Sequence, residues 1–161
     1  MVTKGEQRVD LVRRTIELAL ENVENGGRPF ACVISRDGEV AENPNLVVQT
    51  RDPTAHAEIV VVRQACQRPE TENLEGHEIY VLAHPCPMCL GALYYCSPDR
   101  MALVTTRDEY SRYYKDDRKY FELENFYDEF SKPWQERRLP MEHGPNEEGV
   151  EVYRRWRELN P

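Results

Sequence analysis

The chain has 161 residues, 40% of them hydrophobic, enough for one compact domain with its own core. Its net charge is −8 and its isoelectric point about 5.1, which argues against a nucleic-acid partner, because phosphate binding draws on a basic face. No run approaches the ~18 apolar residues of a membrane span, and the start MVTKGEQRVDLVRR lacks the apolar stretch of a signal peptide, so a cytoplasmic protein with no membrane partner is expected.

Val9, Val12, Ile16, Ala19, Leu20 and Val23 recur at steps of three and four, predicting an amphipathic helix over 6–24. Asn25-Gly26-Gly27 stops it. FACVIS, the turn Arg36-Asp37-Gly38 and EVAEN read as a β-hairpin, since Asp-Gly supplies the positive φ of a tight hairpin turn. NLVVQ is a short apolar run leading into the loop TRDPT. From Thr54 to Gln67 the pattern is helical, with Thr54 as N-cap and Ile59, Val62, Ala65 and Cys66 on one side. The loop QRPETENLEGH leads to the strand EIYVLA. Pro85 to Cys96 reads as a helix ended by Ser97-Pro98, and MALVTT as a buried strand.

Residues 107–130 are charged, aromatic and mostly helical, with a break near Asp116-Asp117. KPWQERRLPMEHGPNEEG is an irregular connector, and VEVYRRWRELN a short helix with Val150 or Val152, Trp156 and Leu159 inward. Helices alternating with strands after an opening hairpin predict an α/β fold, a three-layer α/β/α sandwich around a mixed sheet, in a single domain over residues 1–161.

Five cysteines, an odd number, argue against a disulfide framework. Cys32 and Cys66 sit in apolar runs and read as small buried hydrophobes. Cys86 and Cys89 belong to Pro85-Cys86-Pro87-Met88-Cys89, which opens a helix after a strand; Thr54-Ala55-His56-Ala57-Glu58 opens another. Two cysteines three apart reach one ion from a helix's first turn, where free N–H groups favour thiolates and Pro87 loses no hydrogen bond. His56 completes a three-ligand set of the catalytic zinc type, one ion per chain, with the fourth position left for water.

Two thiolates cancel most of the ion's charge, so a carboxylate is needed to take the water's proton; Glu58 is the candidate. Residues two apart do not share a face on a regular helix. His56 and Glu58 therefore converge only if the helix start or the long Glu side chain bends them together. Alone, HxE or CxxC is weak, and CxxC also fits a redox pair or half of a structural zinc knot. His84 is the nearest fourth ligand for such a knot, but Pro85 follows it directly.

Taken together, the motifs resemble the H-x-E…P-C-x-x-C signature of the cytidine deaminase-like zinc deaminases. Through RPFACVISRDGEVAE, DPTAHAEIVVVRQAC, PCPMCLGALYY and KPWQERRLP the chain is most similar to the small bacterial guanine deaminases. The resemblance implies a central mixed five-stranded sheet and a zinc-dependent aminohydrolase of purine metabolism, with guanine to xanthine as the expected reaction. It implies that Asn45 and Asp117 bind the base, that Phe30 forms a pocket wall, and that the backbone near Ala57 and Cys86 orients the ring. It also implies a homodimer, in some relatives with exchanged C-terminal segments, here from about residue 131.

Several residues depart from that pattern. His84 stands where the family usually has Glu, Ala31-Cys32 replaces a smaller pair, residues 118–131 are longer, and a C-terminal tyrosine gives way to Trp156–Pro161. All bear on the substrate contacts, His84 among them, so cytosine, adenine, triazine and pterin rings remain alternatives. A non-catalytic zinc-stabilised binding protein and a thiol oxidoreductase are the rivals from other classes.

Overall fold

The computed structural model of the chain describes residues 4–67, 71–115, 126–144 and 147–161. They fall into two compact units, Met1–Lys115 and Asp116–Pro161. The first contains helix α1 (Lys4–Glu24), strands β1 (Ala31–Arg36) and β2 (Glu39–Pro44), helices α2 (Val47–Thr50) and α3 (Ala57–Gln67), strand β3 (Glu78–Ala83), helix α4 (Pro87–Cys96), strand β4 (Arg100–Thr105) and helix α5 (Arg107–Tyr110).

One mixed sheet runs β2-β1-β3-β4, with β1 antiparallel to β2 and β3, and β3 parallel to β4. Asp37 (φ 50°) and Gly38 (φ 90°) make the hairpin turn as the Asp-Gly pair predicts. Because side chains alternate across a strand, β1 sends Cys32 and Ile34 to one side, where they pack with Val61, Val62, Leu93, Ile79 and Val81 beneath α3 and α4. It sends Ala31 and Val33 to the other, where they meet Tyr80 and Leu18 and Ala19 of α1. The layers are therefore α/β/α, as expected. Four strands lie among the described residues rather than five. After β4 the chain turns at once into α5, whose start is closed by a capping box: Glu109 accepts hydrogen bonds from the backbone N–H and hydroxyl of Thr106, both at 2.7 Å.

α1 faces the sheet differently from its apolar spacing. Thr15, Leu18, Ala19 and Asn22 are buried, whereas Val9, Ile16, Leu20 and Val23 are exposed. Thr15 satisfies its hydroxyl on the carbonyl of Leu11 at 2.8 Å. Leu11 and Val12 pack against the core beside Leu18 and Ala19, and Asn22 finds partners beyond the helix that satisfy its buried amide. In α3, Val61 rather than Ile59 points inward with Val62 and Ala65. The apolar run after Asn45 forms the short α2.

The second unit contains helix α6 (Phe126–Ser131), a 3-10 turn at Trp134–Glu136 and helix α7 (Glu147–Leu159). α7 is longer than predicted, and Val150, Val152, Trp156 and Leu159, one of the first two and the last two expected to face inward, are exposed. Among the described residues no helix is long and apolar enough to cross a membrane.

Candidate active site

Two chain segments converge where α3 and α4 begin. The first is set by Asp52, whose Oδ1 accepts from the Thr54 backbone N–H at 2.8 Å and the Thr54 hydroxyl at 2.7 Å. This side-chain turn uses up the Thr54 hydroxyl, so Thr54 does not cap the helix as expected. α3 instead starts at Ala57, leaving His56 in the loop just before it. The Ala55 carbonyl accepts from Leu46 N–H at 2.9 Å, tying this loop to the segment after β2.

The second segment leaves β3 through His84 and Pro85. Cys86 takes the extended backbone of an N-cap (φ −69°, ψ 165°), Pro87 opens α4, and Cys89 follows in its first turn. The His84 backbone N–H donates to Thr105 at 3.1 Å, extending the β3–β4 pairing to the edge of the site.

His56 Nδ1 lies 3.6 Å from Cys86 Sγ and 3.6 Å from Cys89 Sγ, and the three ligand atoms all fall within 4.8 Å of one another. Cys89 is buried, and His56 and Cys86 are half-buried. A compact set of two sulfurs and one imidazole nitrogen is the donor chemistry that zinc prefers, with a fourth position left open. These residues fit one zinc ion. Cys86 is drawn down to about 4, first by a hydrogen bond from Cys89 and then by the neighbouring His56, against the opposing effect of burial. Cys89 is pushed upward by its bond to Cys86, by burial and by the charge of Glu58.

Glu58 lies on the first turn of α3, 9% exposed, and hydrogen-bonds with Cys89. Burial pushes its pKa up, opposed by backbone hydrogen bonding and by His56. His56 and Glu58 converge because only Glu58 belongs to the regular helix. Ala57 between them is wholly buried.

Asn45 is 1% exposed; its backbone N–H donates to Phe30 at 2.8 Å, and its Oδ1 accepts from Val47 N–H at 3.1 Å. Phe30 is packed edge-on by Tyr110, ring centroids 6.0 Å apart, and by Tyr114 at 4.9 Å. His84 donates from Nδ1 to the carbonyl of Pro85 at 3.1 Å, which holds its ring over the turn into α4. Asp117 lies outside the described residues. No motif in the sequence marks Tyr110, Tyr114 or Asn22; the pairs of aromatics at helical spacing after β4 are the one cue to the first two.

Residues 6–105 match the family described as the cytidine and deoxycytidylate deaminase zinc-binding region. The chain is 34% identical to the guanine deaminase of Bacillus subtilis over 148 residues, covering 91% of each. The X-ray structure of that protein superposes with a TM-score of 0.83 at 33% identity, covering 92% of each chain. The chain is also similar to the tRNA-specific adenosine deaminase of Aquifex aeolicus, at 33% identity over 130 residues and 80% of each.

Proposed function

This chain belongs to the zinc-binding cytidine and deoxycytidylate deaminase family, and we propose that it hydrolyses the exocyclic amine of guanine, releasing xanthine and ammonia. The observation that carries this reading is the juxtaposition of a buried carboxylate, Glu58, with the cluster of His56, Cys86 and Cys89. A structural metal site has no use for an unliganded acid there, and a thiol oxidoreductase would bind no metal and would show a measurable Cys86–Cys89 disulfide. The choice of guanine is supported by the similarity to the Bacillus subtilis guanine deaminase along 91% of the chain.

His56, Cys86 and Cys89 would hold the zinc, which when bound would polarise a water for attack, with two thiolates leaving Glu58 to take the proton. Glu58 accepts a proton from the attacking water as its oxygen bonds to the ring carbon that carries the amine. The raised pKa of Glu58 suits it to hold that proton in a site shielded from solvent and to pass it on. It delivers the proton to the ring nitrogen, then takes the remaining proton of the added hydroxyl and passes it to the amine. The carbon–nitrogen bond breaks, ammonia leaves, and the ring keeps the new carbonyl. Asn45, Asp117 and the backbone near Ala57 bind and orient the base, Phe30 with its two tyrosines forms a wall, and His84 borders the mouth where relatives carry Glu.

The whole chain acts as one deaminase unit, in a homodimer. The exposed apolar stripes on α1 (Ile16, Leu20, Val23) and α7 (Val152, Trp156, Leu159) support association, with the segment from about residue 131 exchanged between copies. Five free cysteines suit a reducing cytoplasm. A panel of guanine, adenine, cytosine, aminotriazines, pterins and tRNA, assayed for ammonia, tests the substrate. Guanine turned over well above the others is expected; release from another substrate with guanine untouched contradicts the choice while keeping the chemistry.

A further inference from the structure

Asn22 stands two residues before the end of α1, 5% exposed, on a helix whose apolar spacing would have turned it towards water. Its carboxamide binds three separate pieces of chain. Nδ2 donates to the carbonyl of Arg28 at 2.8 Å and to that of Asn45 at 2.9 Å, and Oδ1 accepts from Gln49 Nε2 at 2.7 Å. Both amide hydrogens and one oxygen lone pair are thus engaged. A side-chain carbon at position 27 would run into this carboxamide, so Gly27 leaves room for it.

The carbonyls that Asn22 holds flank the proposed base contacts. Arg28 leads to Phe30, whose carbonyl accepts from Asn45 N–H at 2.8 Å. Asn45 turns its own Oδ1 onto Val47 N–H, a donor that can only meet oxygen, so its NH2 group is the end left to meet an acceptor on a ring. The next residue, Leu46, bonds Ala55, the neighbour of His56. A shift of Asn45 would therefore weaken its hydrogen bond to the base, a contact of the bound ring rather than of the reacting atoms.

We propose that Asn22 is a positioning residue of the substrate site, fixing the backbone at Asn45 and Arg28 so that Asn45 presents its NH2 to the base. The assignment rests on Asn45 as a base contact, and it predicts an effect on binding rather than on the chemical step.

The test uses the full-length, zinc-loaded protein. Asn22→Ala raises KM for guanine about tenfold, the loss of roughly one good hydrogen bond, with kcat within about threefold and one zinc still bound. Gln49→Ala, on an exposed side chain, raises KM about threefold by freeing the Asn22 amide to turn; it decides the matter if Asn22→Ala does not fold. Hydrogen exchange at the Val47 amide gives a readout independent of turnover and speeds up in both variants. An unchanged KM with unchanged Val47 exchange overturns the proposal, as does a loss confined to kcat. A wild-type protein that turns over no guanine, alongside faster Val47 exchange in Asn22→Ala, overturns the substrate reading but supports the positioning role.

Discussion

Glu58 is a carboxylate kept nearly out of water beside two sulfurs, and burial is the largest influence on its proton affinity. Gln at that position keeps the shape and loses the proton carrier. Glu58→Gln is expected to bind one zinc per chain, measured by atomic absorption, yet to lose at least about a hundredfold in kcat. His56, Cys86, Cys89 and Glu58 were legible in the sequence because each motif opens a helix, and helix starts are set by local spacing. Asn22, Tyr110 and Tyr114 were not, because their partners are carbonyls and rings brought near only by folding. Asn22 in particular reads as a polar residue on a solvent face until its three partners are seen.

At the scale of the elements, the loop before α3 is organised by Asp52 rather than by the Thr54 cap that the sequence suggested. Removing that carboxylate frees the Thr54 N–H and loosens the seat of His56. Asp52→Ala should lower the urea midpoint of the zinc-loaded protein slightly, and should weaken zinc binding, read by competition with a chelator, by more.

The docking of α1 on the sheet is anchored by Arg8, bound to both oxygens of Glu78 at 3.1 and 2.5 Å, with Tyr80 also donating to Glu78 at 2.7 Å. These bonds hold Glu78 down at about 2, from an ordinary 4.5. The folded state binds this proton less readily than the unfolded chain does, so the contribution is complete above about pH 4.5 and fades as the pH falls towards 2. Acid unfolding should be shallower across that window in Glu78→Gln; an unaltered slope would mean the pair contributes nothing. The strands and helix types were readable from apolar runs and turn residues. The face of α1 was not, since periodicity counts hydrophobes and is blind to a buried amide.

For the whole molecule, the proposed homodimer would cover apolar residues that are exposed on α1 and α7. Sedimentation should give a dimer, and Trp156→Asp with Leu159→Asp should shift it to monomer while zinc binding by the first unit persists. A monomeric wild type would contradict that assembly. The layered α/β/α arrangement was legible because the central strands are apolar on both sides. The strand count was not, because it came from the family resemblance alone; the apolar runs mark only the four strands of the described residues. The most direct measurement of the central claim is the stoichiometry of xanthine and ammonia formed from guanine by the zinc-loaded chain, with Glu58→Gln alongside. The account predicts one of each per guanine consumed by the wild type and almost none by the variant. Equal turnover by the two proteins, or no xanthine from a wild type carrying zinc, would contradict it.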